Sequence, residues 1–273
     1  MYQLLVGLMI VIVALALGVR LLEPRLVFYP IAGETATARD FDAPAAADSV
    51  QTADGERLHL WTLTHPRPHA IIVYFHGNGG NLSVWAPILA GIFHQGFSVL
   101  AFDYRGYGLS TGRPSERGLY RDADAILDYV SHRVDRRERL VYWGRSLGTA
   151  VAAYAATVRR PDGVILEAGF PDARSLIRTS PPMALLALFS TYRFPTADLM
   201  RQAETPVLVL HGDRDGIVPF ELGRALFERV GDPKQFAAIR GGDHNDVTPS
   251  DPESYWSTIA AFVERLNPEG DKQ

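Results

Sequence analysis

Hydrophobic positions along the chain fall into two regimes. The first, Met1–Leu22, is apolar almost throughout: no charged side chain precedes Arg20, and Leu21 and Leu22 extend the run beyond it. No polar face recurs at helical spacing, so the pattern predicts a helix surrounded by hydrocarbon rather than one lying on a core. At 1.5 Å per residue such a helix is roughly 33 Å long, enough for a bilayer interior of about 30 Å. Arg20 then stands where a long side chain reaches the headgroups. A cleaved signal peptide is the competing reading, since Ala14-Leu15-Ala16 has the small-x-small pattern. Against it, no Lys or Arg precedes the run, and the run continues past that point. We read residues 1–22 as an uncleaved single-pass anchor in contact with membrane lipid. Arg20 and Arg25 follow the span and no side-chain cation precedes it, which leans toward a cytoplasmic location for the rest of the chain.

The second regime is an alternation of short apolar runs and helical periods. After a connector over 23–48, Ala-rich near Ala43–Ala47, the segment Ser49–Leu63 alternates around Asp54-Gly55 and predicts an antiparallel hairpin. Ala70–Phe75, Ser98–Asp103, Leu140–Trp143, Val164–Glu167 and Val207–His211 have the composition of fully buried parallel strands. Between and after them, helical periods run over Leu82–His94, Glu116–His132, Leu147–Val158, Glu221–Val230 and Ser254–Leu266. Pro114 and Ser115 are entry residues for the second of these. This spacing predicts an α/β fold with a mostly parallel sheet flanked by helices. Its body covers 49–268, with a polar tail at 269–273. The stretch after Glu167 is longer than a crossover helix needs. It contains Pro181-Pro182-Met183 and the apolar Ala184–Phe189, and reads as a small helical cap over about 170–205, or as one long packed helix.

Composition narrows the chemistry. The chain has 273 residues, 47% of them hydrophobic, and a formal net charge of −4, so the basic footprint of a nucleic-acid binder is missing. The absence of cysteine excludes disulfides, a cysteine nucleophile and thiolate-held zinc or iron–sulfur centres. No cofactor is called for, and no metal: the Asp213/Asp215 and Asp243/Asp246 pairs lack a histidine pair at ligand spacing.

The strongest motif is Gly144-Arg145-Ser146-Leu147-Gly148, directly after a strand run and opening a helix of small residues. A serine on so tight a turn needs glycine two positions to either side, and its neighbouring N–H groups lie at a helix N-terminus. A serine hydroxyl needs a base to act as nucleophile. Of the chain's histidines, His244 stands in the polar loop Gly241–Asp246 that follows the strand-like Phe236–Arg240, and is the candidate base. His76 and His211 end strands beside glycine and read as structural. The acid partner comes from His211-Gly212-Asp213-Arg214-Asp215, with Asp213 and Asp215 as rivals and Glu167 as a more distant one. The chain order Ser, Asp, His suits an α/β fold. His76-Gly77-Asn78-Gly79-Gly80-Asn81 is a glycine-rich turn able to aim N–H groups at a site, and fits neither common phosphate-loop pattern. Phe102–Ser110, rich in Gly and Tyr, reads as a packed turn held by Arg105 and Asp103, with an active-site wall as the alternative.

These motifs, in this order and with Tyr29-Pro30 after an N-terminal anchor and Val218-Pro219 after the acid, resemble the α/β-hydrolase superfamily. More narrowly, residues 28–266 resemble membrane-anchored Bem46-type hydrolases with serine aminopeptidase-like domains. The resemblance implies an eight-stranded, mostly parallel sheet. It implies Ser146 as nucleophile, His244 as base, Asp215 as acid, and the N–H groups of Asn78 and Leu147 as an oxyanion hole. Asp243 departs from the family pattern, where a small residue often precedes the histidine. The expected activity is hydrolysis of a carboxylic ester or thioester, with a small-molecule or acyl-chain substrate. Aminopeptidase or amidase action, or a non-catalytic membrane scaffold, are the alternatives.

Overall fold

The computed structural model describes residues 2–133, 138–180, 189–245 and 251–266. The chain begins with α1, Tyr2–Val27, which runs past the predicted end at Leu22 because Glu23 is buried rather than left in solvent at the helix terminus. Its apolar residues are long enough in sequence to cross a membrane. A two-residue strand β1 (Tyr29–Pro30) and a 3-10 helix (Ala38–Phe41) lead into β2, Ala45–Gln51. β2 thus takes in Ala45–Ala47, which the sequence pattern leaves in the connector: as an edge strand it needs few large apolar residues.

β2 pairs antiparallel with β3 (Arg57–Leu63) across the predicted turn, from Ala45↔Leu63 to Gln51↔Arg57. Then follow β4 (Ile71–Phe75), the two-residue β5 (Gly79–Gly80), α2 (Leu82–His94), β6 (Ser98–Phe102) and α3 (Glu116–Ser131). The Gly144–Gly148 motif joins β7 (Leu140–Arg145) to α4 (Gly148–Val158), and β8 spans Gly163–Glu167. After the short α5 (Ala173–Ile177) come α6 (Thr196–Ala203), β9 (Val207–Gly212), α7 (Phe220–Arg229), β10 (Lys234–Ile239) and α8 (Pro252–Glu264). Residues 181–188, which carry most of the apolar run assigned to the cap, and the tail 269–273 lie outside the described residues.

The main sheet has eight strands in the order β10-β9-β8-β7-β4-β6-β3-β2, parallel except where β3 meets β2 and β6. Side chains alternate between its faces. In β4, Val73 and Phe75 enter one buried cluster with residues of α3, α4, α6 and α7, while Ile72 and Tyr74 enter a second with α2 and α8. Each such side chain contributes about 1.5–3 kcal/mol when fully buried. Helix starts follow local chemistry: Asn81 accepts N–H bonds from Ser83 and Val84 to open α2, and Ser115 accepts one from Gly118 to open α3. This arrangement leaves the C-terminal ends of β4, β7, β8 and β9 side by side, where open parallel sheets place their sites.

Candidate active site

Ser146 stands between β7 and α4 with φ of 52°, a left-handed conformation that a residue with a Cβ rarely adopts. Its N–H donates to the Glu167 carbonyl at 2.8 Å, which fixes the turn against β8. The flanking glycines are required by space. A Cβ on Gly144 would lie 2.4 Å from the Gly148 carbonyl oxygen, and one on Gly148 only 2.0 Å from that of Phe75. The turn therefore projects Ser146 Oγ away from the sheet, where it meets His244 Nε2 at 3.0 Å.

His244 Nδ1 in turn faces Asp215 Oδ2 at 2.7 Å. The other carboxylate oxygen, Oδ1, accepts N–H bonds from Ile217 (2.9 Å) and Val218 (2.7 Å). Burial raises the Asp215 pKa, but the hydrogen bond and charge of His244, with those N–H donors, outweigh it and hold the carboxyl below its usual range. The rival acids point elsewhere. Asp213 accepts the Gly241 N–H at 2.7 Å. Glu167 is held by Arg145 Nη1 at 2.9 Å, Trp143 Nε1 at 3.0 Å and the Tyr255 hydroxyl at 3.1 Å.

Asp243 accepts from the N–H groups of both Gly216 (3.0 Å) and His244 (2.7 Å), so it ties the His244 loop to the loop that carries Asp215. Arg145, at the position the Gly-x-Ser-x-Gly pattern leaves open, donates Nη2 to the His244 carbonyl at 2.8 Å. Neither bracing role is visible in sequence. His211 is structural, with Nε2 donating to the Val218 carbonyl at 2.8 Å.

The glycine-rich turn after β4 contributes Gly77, Asn78 and Gly79 to the cavity that holds Ser146 and His244. Asn78 and Leu147 line the same cavity as Ser146. The turn is braced from behind: the Tyr107 hydroxyl donates to the Asn78 carbonyl at 2.9 Å, and Asp103 Oδ1 accepts the Leu82 N–H at 2.9 Å. Phe102–Ser110 is thus a packed turn, as expected, although Arg105 bonds Asp122 and Asp54 rather than Asp103. His76 is fully buried behind it, its Nδ1 on the Gly77 carbonyl at 2.7 Å, and burial lowers its pKa to about 4. A second brace comes from α1: β1 pairs with β5, and the Asn78 side-chain amide donates to the Val27 carbonyl.

The cavity above Ser146 has a volume of about 1180 Å³ and is bounded mainly by apolar side chains, among them Leu22, Trp85, Phe170 and Leu176. Among the described residues no group of three or more His, Asp or Glu side chains is placed to hold a metal. The arrangement offers a hydroxyl beside an imidazole, an imidazole beside a carboxylate, and an apolar chamber over both.

Several known proteins are similar to this chain. A sequence model of the serine aminopeptidase S33 family (Hydrolase_4) matches residues 66–203. Protein Rv2307c of Mycobacterium tuberculosis is 35% identical over 245 residues, spanning 88% of this chain and 87% of that one. Protein bem46 of Schizosaccharomyces pombe is 32% identical over 240 residues, spanning 83% and 79%. A membrane protein of Saccharomyces cerevisiae, YNL320W, is 34% identical over 220 residues, spanning 78% and 77%. In structure, the Pyrococcus furiosus esterase Pf2001 superposes with a TM-score of 0.70 over 88% of this chain and 98% of its own, at 16% identity. That likeness speaks for the fold, and the sequence relatives speak for the family. The chain belongs to the serine aminopeptidase S33 family of α/β-hydrolases, as a Bem46-type member.

Proposed function

We propose that this hydrolase is membrane-anchored and cleaves a carboxylic ester or thioester with an apolar acyl group through an acyl-enzyme on Ser146. The observation that carries the reading is the continuous relay from Ser146 Oγ to His244 (3.0 Å) to Asp215 (2.7 Å), opening into an apolar cavity.

In the proposed sequence, Ser146 Oγ attacks the carbonyl carbon while its proton passes to His244 Nε2. Asp215 holds the imidazole with Nδ1–H toward the carboxylate and stabilises the cation that forms. The negative charge developing on the carbonyl oxygen is met by the N–H groups of Asn78 and Leu147, the latter at the N-terminus of α4. The tetrahedral species collapses, the alcohol or thiol leaves with the proton from His244, and Ser146 keeps the acyl group. A water molecule then gives its proton to His244 and attacks the acyl carbon, releasing the acid and returning the proton to Ser146.

Aminopeptidase action requires a carboxylate to receive the substrate's amine. Among the described cavity residues the acid is Glu23, already engaged by Ser190 and Thr191. Esters and thioesters therefore suit the cavity better. Arg20 and Arg25, at the end of α1 next to the body, favour a cytoplasmic site.

A panel of p-nitrophenyl esters, acyl-thioesters and aminoacyl amides tests the reading. Turnover of the first two classes is expected, with kcat falling roughly 10³-fold or more in Ser146→Ala. Preferential cleavage of the amides would overturn the substrate assignment, and turnover unchanged in Ser146→Ala would overturn the mechanism.

A further inference from the structure

We propose that α1 is a working wall of the substrate site, receiving the acyl chain of a substrate directly from the bilayer. This rests on the hydrolase reading above and deepens it.

The first ground is continuity. The cavity that contains Ser146 and His244 is also lined by Val11, Ala14, Leu15, Gly18, Leu22 and Leu26. These positions recur at helical spacing, so they form one face of α1. From Val11 to Val27 this face extends about 24 Å along the axis.

The second ground is how α1 is held. Glu23, at 5% exposure, accepts from Thr191 N–H (3.0 Å) and Thr191 Oγ1 (2.6 Å), and also from Ser190 Oγ. A carboxylate in such a place is tolerable only with several donors around it. On the other side of the cavity, the Asn78 amide holds the Val27 carbonyl, and Tyr29-Pro30 pairs with Gly79-Gly80. Between these two attachments, Phe28 is buried against Tyr192 at 5.5 Å between ring centroids. A mere tether needs none of these contacts. Together they fix the direction in which the apolar face leaves the site.

The third ground is depth. If Glu23 marks the membrane surface, Val11 lies about 18 Å along α1 from it, inside a hydrocarbon layer about 30 Å thick. The far end of the groove is then already surrounded by acyl chains. Val84 and Ile217, which also line the cavity, are 52% and 55% exposed and extend the apolar surface around its mouth. A chain can therefore slide from the bilayer along α1 while its carbonyl reaches Ser146, without crossing water.

Gly18 provides the test. A Cβ there meets nothing within 4 Å, and the same is true of Gly7, which is not among the cavity residues. The full-length protein, reconstituted in phosphatidylcholine vesicles, is assayed with p-nitrophenyl butyrate from water and p-nitrophenyl palmitate dissolved in the bilayer. The series Gly18→Ala, Gly18→Leu and Gly18→Trp should lower kcat/KM for the palmitate ester stepwise, by at least about tenfold for Trp, as the bulk displaces methylenes. The palmitate-to-butyrate ratio of kcat/KM should therefore fall by at least about tenfold in Gly18→Trp, and Gly7→Trp should leave that ratio unchanged. No change on palmitate in Gly18→Trp, or an equal loss on both esters, overturns the inference while the hydrolase reading stands. If wild-type protein cleaves butyrate no faster than Ser146→Ala, the hydrolase reading falls and the inference falls with it.

Discussion

Arg145 is the residue whose removal should separate stability from activity most clearly. It is 5% exposed, and its guanidinium spans the Glu167 carboxylate at 2.9 Å and the His244 carbonyl at 2.8 Å. Arg145→Met keeps most of the volume but leaves Glu167, itself 3% exposed, as a buried ion without its cation. Removing one partner of such a pair costs about 3–5 kcal/mol. Coulomb's law agrees in scale, giving about 4 kcal/mol for unit charges about 4 Å apart at an effective dielectric constant of about 20. Adding Glu167→Gln removes the orphaned charge, so Arg145→Met/Glu167→Gln should regain about 2–3 kcal/mol relative to Arg145→Met alone. What remains is the lost charged hydrogen bond to the His244 carbonyl, about 1.5–3 kcal/mol. Because that bond holds the His244 loop, ester turnover should stay at least about tenfold low in both variants. The assay is urea unfolding of the full chain in detergent micelles, followed by tryptophan fluorescence, beside butyrate ester kinetics. A loss below about 1 kcal/mol in Arg145→Met, or a double variant no more stable than the single one, would refute the reasoning.

Other consequences are equally specific. Ser146→Gly relieves the left-handed backbone at φ 52°, so it should abolish turnover while leaving the unfolding free energy unchanged or raised by up to about 1 kcal/mol. A loss of stability would show that the turn is not strained. Gly148→Ala, whose Cβ would sit 2.0 Å from the Phe75 carbonyl oxygen, should cost at least about 3 kcal/mol in urea unfolding, and a neutral result would contradict the packing of α4 on β4. Burial raises the Asp103 pKa from 3.8 to about 7, against the Leu82 N–H bond that lowers it. The folded state then binds more protons than the unfolded state across that window, so stability falls as pH rises from about 4 to about 7, by up to about 4 kcal/mol from this group. The stability difference between Asp103→Asn and wild type should shift toward the variant between pH 5 and 8; a difference independent of pH would contradict the assignment.

What sequence alone reveals here depends on how local each signal is. The limits of α2 were readable because Asn81 caps its start and the apolar period ends at His94. The turn at Ser146 was readable because strand, glycines and small-residue helix are contiguous. The choice of Asp215 over Asp213 came from the family resemblance alone, since residues two apart share one loop and only the fold turns Asp213 toward Gly241 and Asp215 toward His244. Glu23 gave no signal because its partners, Ser190 and Thr191, are remote in the chain and its helix is apolar all round. Arg145 occupies a position its motif leaves open, and its carbonyl partner lies in the His244 loop. The pairing of Tyr29-Pro30 with Gly79-Gly80 has no sequence signature because two residues carry no strand periodicity.

The central claim is that Ser146 is an activated nucleophile. Intact-protein and peptide mass spectrometry after treatment with a fluorophosphonate tests it most directly. The account predicts a single covalent adduct on Ser146, formed far more slowly in His244→Ala and absent in Ser146→Ala. A wild-type protein that takes no adduct, or an adduct that persists in Ser146→Ala, would contradict it.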